Sequence, residues 1–165
     1  MRAALLWLSV LAAGAPPGKG PASAAAVSAP APRPADRCPV CGMFVAKYPQ
    51  WVATVVWRGG SAVHFDGAKD LFNYLLQLPK YAPGRSSKEI VTVAVSEFYD
   101  VRTIDAREAY YVVGSDVLGP MGRELIPFAT LADAGEFSRD HRGRRVLRFA
   151  DVTLPVVQQV DAGGD

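Results

Sequence analysis

The chain has 165 residues, half of them hydrophobic, with 18 basic and 16 acidic side chains and a formal charge of +2. That length suits one domain with its own core. Three of the basic residues, Arg2, Lys19 and Arg33, lie in a leader without acidic residues, so from Asp36 onward 15 basic groups face 16 acidic ones, a near-neutral balance that gives no electrostatic ground for a nucleic-acid partner.

Residues 1–26 read as an export signal. A basic start at Arg2 leads into the apolar run AALLWLSVLAA, and small-residue cleavage sites follow at 22–24 and 24–26. The run is shorter than the ~20 residues that span a bilayer. With no cysteine near it for lipid attachment, a free periplasmic protein is expected. Residues 27–37, rich in Pro and Ala, are expected to be disordered linker. Residues 38–152 are expected to form the domain and 153–165 a flexible tail.

WVATVVW, residues 51–57, is aromatic and β-branched and predicts a strand. Arg58-Gly59-Gly60-Ser61 predicts a turn, and residues 62–65 the returning strand. Asp66 is a plausible N-cap. Ala68, Leu71, Phe72, Leu75 and Leu76 then recur on one helical face, and Pro79 marks the helix end. Residues 90–95 predict a third strand and 96–107 a loop. The order then repeats, with a strand at 109–113, the loop GSDVLGPMG at 114–122, and a strand at 123–128 whose Pro127 suggests an edge. A helix capped by Thr130 and Asp133 runs to about His141, and residues 146–152 form the last strand. The class is α+β: two β-β-α-β units with helices packed on mainly antiparallel sheet. The basic run from His141 to Arg145 reads as a solvated loop.

CPVCGM, residues 38–43, holds both cysteines of the chain. In an oxidising compartment, CxxC by default reads as a disulfide or redox pair. The thioredoxin-type pair sits at a helix N-terminus after a strand, whereas APRPAD precedes Cys38 and Gly-Met-Phe follows Cys41. Structural zinc needs four ligands, and His64 and His141 are far apart in sequence. A third reading is a soft-metal clamp. Thiolate and thioether together select Cu(I), and Cys41-Gly42-Met43 offers one of each, with Gly42 free to turn tightly. Met121, flanked by Pro and Gly, is poorly placed for core packing and becomes a candidate third ligand. On residues alone the three readings stand open. The chemistry-bearing motifs of nucleophile elbows, zinc proteases and phosphate-binding loops do not occur.

CPVCGMFVAKYP, AYYVVGSDVLGPMGRELIPF and FSRDHRGRRVLRFADV, in that order and spacing, resemble the NosL family of nitrous oxide reductase accessory proteins across about residues 38–152. The resemblance implies a periplasmic Cu(I)-binding chaperone, not an enzyme. It would supply copper to nitrous oxide reductase or a similar copper-enzyme client beside a membrane ABC-type assembly complex, as a monomer or in a hetero-complex with that partner. It also implies a fold like that of the organomercurial lyase MerB, with two β-β-α-β units. Carried to this chain, Cys41 and Met43 match the family's Cys-Gly-Met, and Met121 matches its loop methionine. Cys38 stands as a further ligand or a redox neighbour. His141 matches a family histidine and reads first as a cation at a helix C-terminus. Many members are lipoproteins, and here this sequence departs. A lyase activity would need thiols well apart in sequence beside an acid, and fold alone does not carry function.

Overall fold

The computed structural model describes residues 23–163, so most of the expected export signal lies outside the described residues. The order is β1 (Ala53–Trp57), β2 (Ala62–Phe65), α1 (Ala68–Leu76), a short α2 (Leu78–Tyr81), β3 (Ile90–Ser96), β4 (Thr103–Asp105), β5 (Tyr110–Val113), β6 (Ile126–Phe128), α3 (Leu131–Asp140), β7 (Arg145–Arg148) and α4 (Leu154–Ala162). Two antiparallel sheets result, ordered β2-β1-β3-β4 and β6-β5-β7. In each, the first strand of a β-β-α-β unit is flanked by its hairpin partner and by the strand that follows the helix. The expected class and the repeated unit are therefore both present.

The first sheet packs one face into the main core. Ala53, Val55, Trp57, Phe65, Val93 and Val95 point into the main core with Leu71 and Phe72 of α1. On the opposite face, Thr54, Ala94 and Ser96 line a cavity of about 310 Å³ together with residues 29–32, Ala46, Pro49 and Val52. Alternation along β5 joins the two layers. Tyr111 and Val113 enter the main core, where Tyr111 meets Phe72 edge to face with ring centroids 5.1 Å apart. Val112 turns the other way, into a second cluster with Ile126, Phe128, Ala134 and Phe137. Pro127 does sit on an edge strand, where its missing N–H costs no ladder bond.

Several expectations are corrected. Residues 27–37 are not free linker. Ala24 is buried, its N–H bonds the Ala129 carbonyl at 2.8 Å, and Val27 N–H bonds the Thr103 carbonyl at 3.1 Å. Asp105 N–H bonds the Ala25 carbonyl at 2.9 Å, so this strip runs along β4. Farther on, Arg33 and Asp36 close a turn by an ion pair of 2.9 Å. Small residues suffice there because backbone pairing, not side-chain burial, holds the strip. The loop expected at 96–107 contains β4. Pro79 does not simply stop α1, which ends at Leu76, but starts α2. The last strand is shorter than residues 146–152, because Phe149–Asp151 form a 3-10 turn.

The segment 153–165, expected as a flexible tail, carries α4. Pro155 stands in its first turn and Gly163, at φ 68°, caps its end. Val157 and Val160, three residues apart on one face, are fully buried in the main core. Among the described residues no helix is long and apolar enough to cross a membrane.

Candidate metal centre

The CPVCGM loop is closed by its own backbone. Cys38 N–H bonds the Met43 carbonyl and Gly42 N–H bonds the Cys38 carbonyl, both at 2.9 Å. Gly42 takes φ 82°, the left-handed region that a side chain disfavours. Arg37 ties the loop down by donating to the Gly42 carbonyl at 2.8 Å while its guanidinium lies 3.7 Å over the Phe44 ring.

The closed loop rests on the start of α1. The Cys38 thiol donates to Asp70 Oδ2 at 3.1 Å, and the Cys41 thiol to Asp66 Oδ1 at 3.2 Å. One ligand atom from each of Cys38, Cys41, Asp66 and Asp70 falls within 4.8 Å of all the others. Cys38, Asp66 and Asp70 are buried and Cys41 is half-buried. Asp66 Oδ2 is buried with no hydrogen-bond partner among the described residues, an arrangement that costs free energy unless a ligand meets it.

Both cysteines are free thiols. Burial, followed by the Asp70 charge, pushes the Cys38 thiol far above its ordinary range. Burial first, and the two aspartates in part, push the Cys41 thiol up to about 12. Burial raises the Asp70 carboxyl against the opposing thiol hydrogen bonds. The pair is thus electronegative in setting, the reverse of what lowers a thiol pKa in redox catalysts.

Met43 is half-buried at the loop's end. Met121 is 47% exposed at the tip of a turn, 119–122, closed by Gly119 N–H to the Gly122 carbonyl at 2.7 Å and the reciprocal bond at 3.1 Å. That turn lies against α1. Lys69 Nζ donates to the Met121 carbonyl at 3.3 Å and pairs with Asp161 of α4 at 2.9 Å. A cleft of about 380 Å³ has Val40, Asp70 and Met121 on its walls. Met121 therefore shares a cleft with one residue of the cysteine–aspartate cluster.

His141 and His64 stand outside that cluster. His141 is the C-cap of α3, with Nδ1 3.2 Å from Asp116 Oδ1 and its ring 4.4 Å from that of Phe137. His64 is buried, with Nδ1 3.0 Å from Thr54 Oγ1 and its pKa lowered, chiefly by burial. Sequence reasoning misses Asp70 altogether and takes Asp66 for a helix cap. The observed N-cap is Gly67, which leaves the Asp66 side chain to Cys41. Helical spacing gives no signal for the pair, because Asp66 precedes the extended N-cap Gly67 and only Asp70 lies on the helix.

Glu124 is also missed. It is buried, and its Oε1 accepts from the backbone N–H of Lys69 at 2.5 Å and of Leu125 at 2.8 Å. It thereby caps α1 from outside the helix. Burial pushes its carboxyl up to about 8, against those two hydrogen bonds.

The family model for NosL matches residues 30–157. The copper-binding lipoprotein NosL of Stutzerimonas stutzeri is 32% identical over 133 residues, covering 75% of this chain and 65% of that protein. The chain thus spans just under two thirds of that relative's length. The crystal structure of the copper chaperone NosL from Shewanella denitrificans superposes with a TM-score of 0.65 at 27% identity, covering 78% of this chain and 97% of that one. With its fold and sequence both matched over most of its length, the chain belongs to the NosL family.

Proposed function

We propose that the protein is a periplasmic Cu(I) chaperone, not an enzyme, that supplies copper to nitrous oxide reductase or a similar copper enzyme beside a membrane ABC-type assembly complex. The observation that carries this reading is Cys41, a half-buried thiol on a loop that Gly42 folds back, with Met43 two residues on and the Met121 turn beside the same helix start. Thiolate plus thioethers is a donor set for Cu(I). Cys41 is the anchoring ligand, Met43 and Met121 are the weaker ones, and Cys38 is a second thiol within reach of the same ion. Relatives named as copper-binding and copper-chaperone proteins support the choice of metal.

Transfer fits a site of this build. Thioethers on an exposed turn can be replaced one at a time by a partner's sulfurs, so the ion passes by ligand exchange and is never released free. A site on loops suits that task. The raised thiols of the metal-free protein weaken the rival reading, a thiol–disulfide carrier, which needs thiolate without a metal, whereas a bound ion displaces the thiol proton itself.

A second reading of the metal rests on the two carboxylates. Two cysteines with Asp66 and Asp70 make a mixed sulfur–oxygen set of the kind that a borderline divalent ion such as Zn²⁺ accepts. Competition of the reduced protein against a Cu(I) chelator tests the first reading. Cys41→Ser abolishes tight Cu(I) binding and Met121→Leu weakens it; parent-like affinity in both variants overturns the site. Binding that depends on Asp66 and Asp70 but not on either methionine points to the second.

A further inference from the structure

We propose that Glu124 is a positioning residue for the metal site: it holds the Met121 turn against the first turn of α1 and so sets the reach of that thioether toward the cysteine loop. The inference rests on the ligand reading above and adds the residue that makes it geometrically possible.

Only Gly122 and Arg123 separate Met121 from Glu124, and both of these flanking residues are fastened to one residue of α1. Lys69 Nζ holds the Met121 carbonyl at 3.3 Å, and Lys69 N–H holds Glu124 Oε1 at 2.5 Å. Lys69 in turn immediately precedes Asp70, which receives the Cys38 thiol. The fit around the glutamate is close on both sides. A Cβ on Gly67 would stand 2.0 Å from Glu124 Oε2, and one on Gly119 would stand 3.2 Å from its Cγ. Two glycines, one on each element being joined, thus make room for this one side chain.

Besides Glu124, the turn is held from outside by Lys69 Nζ on the Met121 carbonyl and, just past its end, by Arg123 Nη1 on the Ser115 carbonyl, both at 3.3 Å. Met121 and Leu118 are exposed, at 47% and 60%, and the turn's own bonds run between Gly119 and Gly122. With the Lys69 ammonium as its only remaining tie to α1 among the described residues, a tip this exposed samples more positions, and a weak thioether ligand then contributes less because its ordering must be met on binding. Side chains that orient a ligand from behind typically change metal affinity ~10–100-fold when removed.

The test is a double-mutant cycle on the reduced protein, with Cu(I) affinity from chelator competition, the copper–sulfur count from X-ray absorption, and thermal unfolding as the check on fold. Glu124→Ala is expected to weaken Cu(I) about as much as Met121→Leu and to lose one sulfur from the shell. The double variant is expected to be no weaker than either single one. Glu124→Gln, which keeps the acceptor oxygen, restores affinity and sulfur count. Where Glu124→Ala does not fold, Glu124→Asp, about 1.5 Å shorter, takes its place in the same cycle. Additive losses in the double variant, or a Glu124 variant with parent affinity and sulfur count, overturn the proposal while leaving Met121 a ligand. If Met121→Leu itself changes neither readout, the ligand reading fails and the positioning role falls with it.

Discussion

Replacing Val157 and Val160 together by alanine tests whether the C-terminal segment is part of the folded domain. Both side chains are fully buried against the main core, one helical turn apart on α4. Each substitution removes two methyl groups, worth ~0.8 kcal/mol apiece in transfer, and leaves a small cavity, so each costs about 2 kcal/mol. The two sites are neighbours in one cluster, so the additive sum of about 4 kcal/mol is the reference figure from which coupling shifts the pair. For a chain of this size that lowers the melting temperature by about 10 °C. Differential scanning calorimetry on parent, both single variants and the double variant measures it. Gln158→Ala, at an exposed position of the same helix, is the control and stays within about 0.5 kcal/mol. A double variant that melts within about 1 °C of the parent would mean that α4 is not docked, and the assignment of Asp161 as partner of Lys69 would go with it.

Other outcomes follow from single contacts. Gly67→Ala places a methyl group 2.0 Å from Glu124 Oε2, so the glutamate must leave its cap; urea unfolding should show a loss of about 1–3 kcal/mol, and unchanged stability would contradict the close approach. The raised thiols predict that the native protein reacts slowly with a thiol reagent at neutral pH: Cys38 not at all before unfolding, and Cys41, pushed up to about 12, far more slowly than a free cysteine. Prompt labelling of either would refute the protonated pair. The Glu124 carboxyl ionises near 4.5 in the unfolded chain and near 8 when folded, so the native state binds the extra proton between those values. Stability is fully present below the lower value and falls as pH rises toward the upper one, by at most about 1.4 kcal/mol per pH unit. Glu124→Gln should flatten that stretch of the stability–pH profile, and a parent profile already flat there would show an ordinary carboxylate.

The parts of the fold legible in the sequence are those whose side chains alternate between two environments. The Gly59-Gly60 hairpin and the face of α1 carrying Leu71 and Phe72 declare themselves because burial imposes their spacing. β4 does not. It is three residues long, held between β3 and the strip at 24–27 by backbone bonds that leave no side-chain period. α4 carried its signals, Pro155 early, Gly163 late and valines three apart. They are obscured by the polar pair Gln158-Gln159 and by the expectation that chain ends fray. At the site, both cysteines and both methionines stand out by rarity. Asp66 and Asp70 do not, because an acid at a helix start already has an ordinary reason in capping and the helix dipole.

The two β-β-α-β units have the same strand order, so the way each caps its helix can be compared directly. α3 caps itself. Thr130 Oγ1 accepts from Asp133 N–H at 3.1 Å and donates to the Asp133 carboxylate at 2.6 Å. α1 does not. Its N-cap is Gly67, and Asp66, which a local cap would employ, points to the Cys41 thiol. The missing acceptor comes from Glu124, on the hairpin connection of the other unit. A local cap is worth about 1 kcal/mol and needs only one suitable residue, so its absence here is a departure from the rule that local choices agree with the fold. The departure falls where Asp66 has another use. Drawing the cap from the second unit makes the start of α1, the cysteine loop resting on it and the methionine turn one mechanical body. The sequence pattern that records this is the distance between Gly67 and Glu124, which no local window spans.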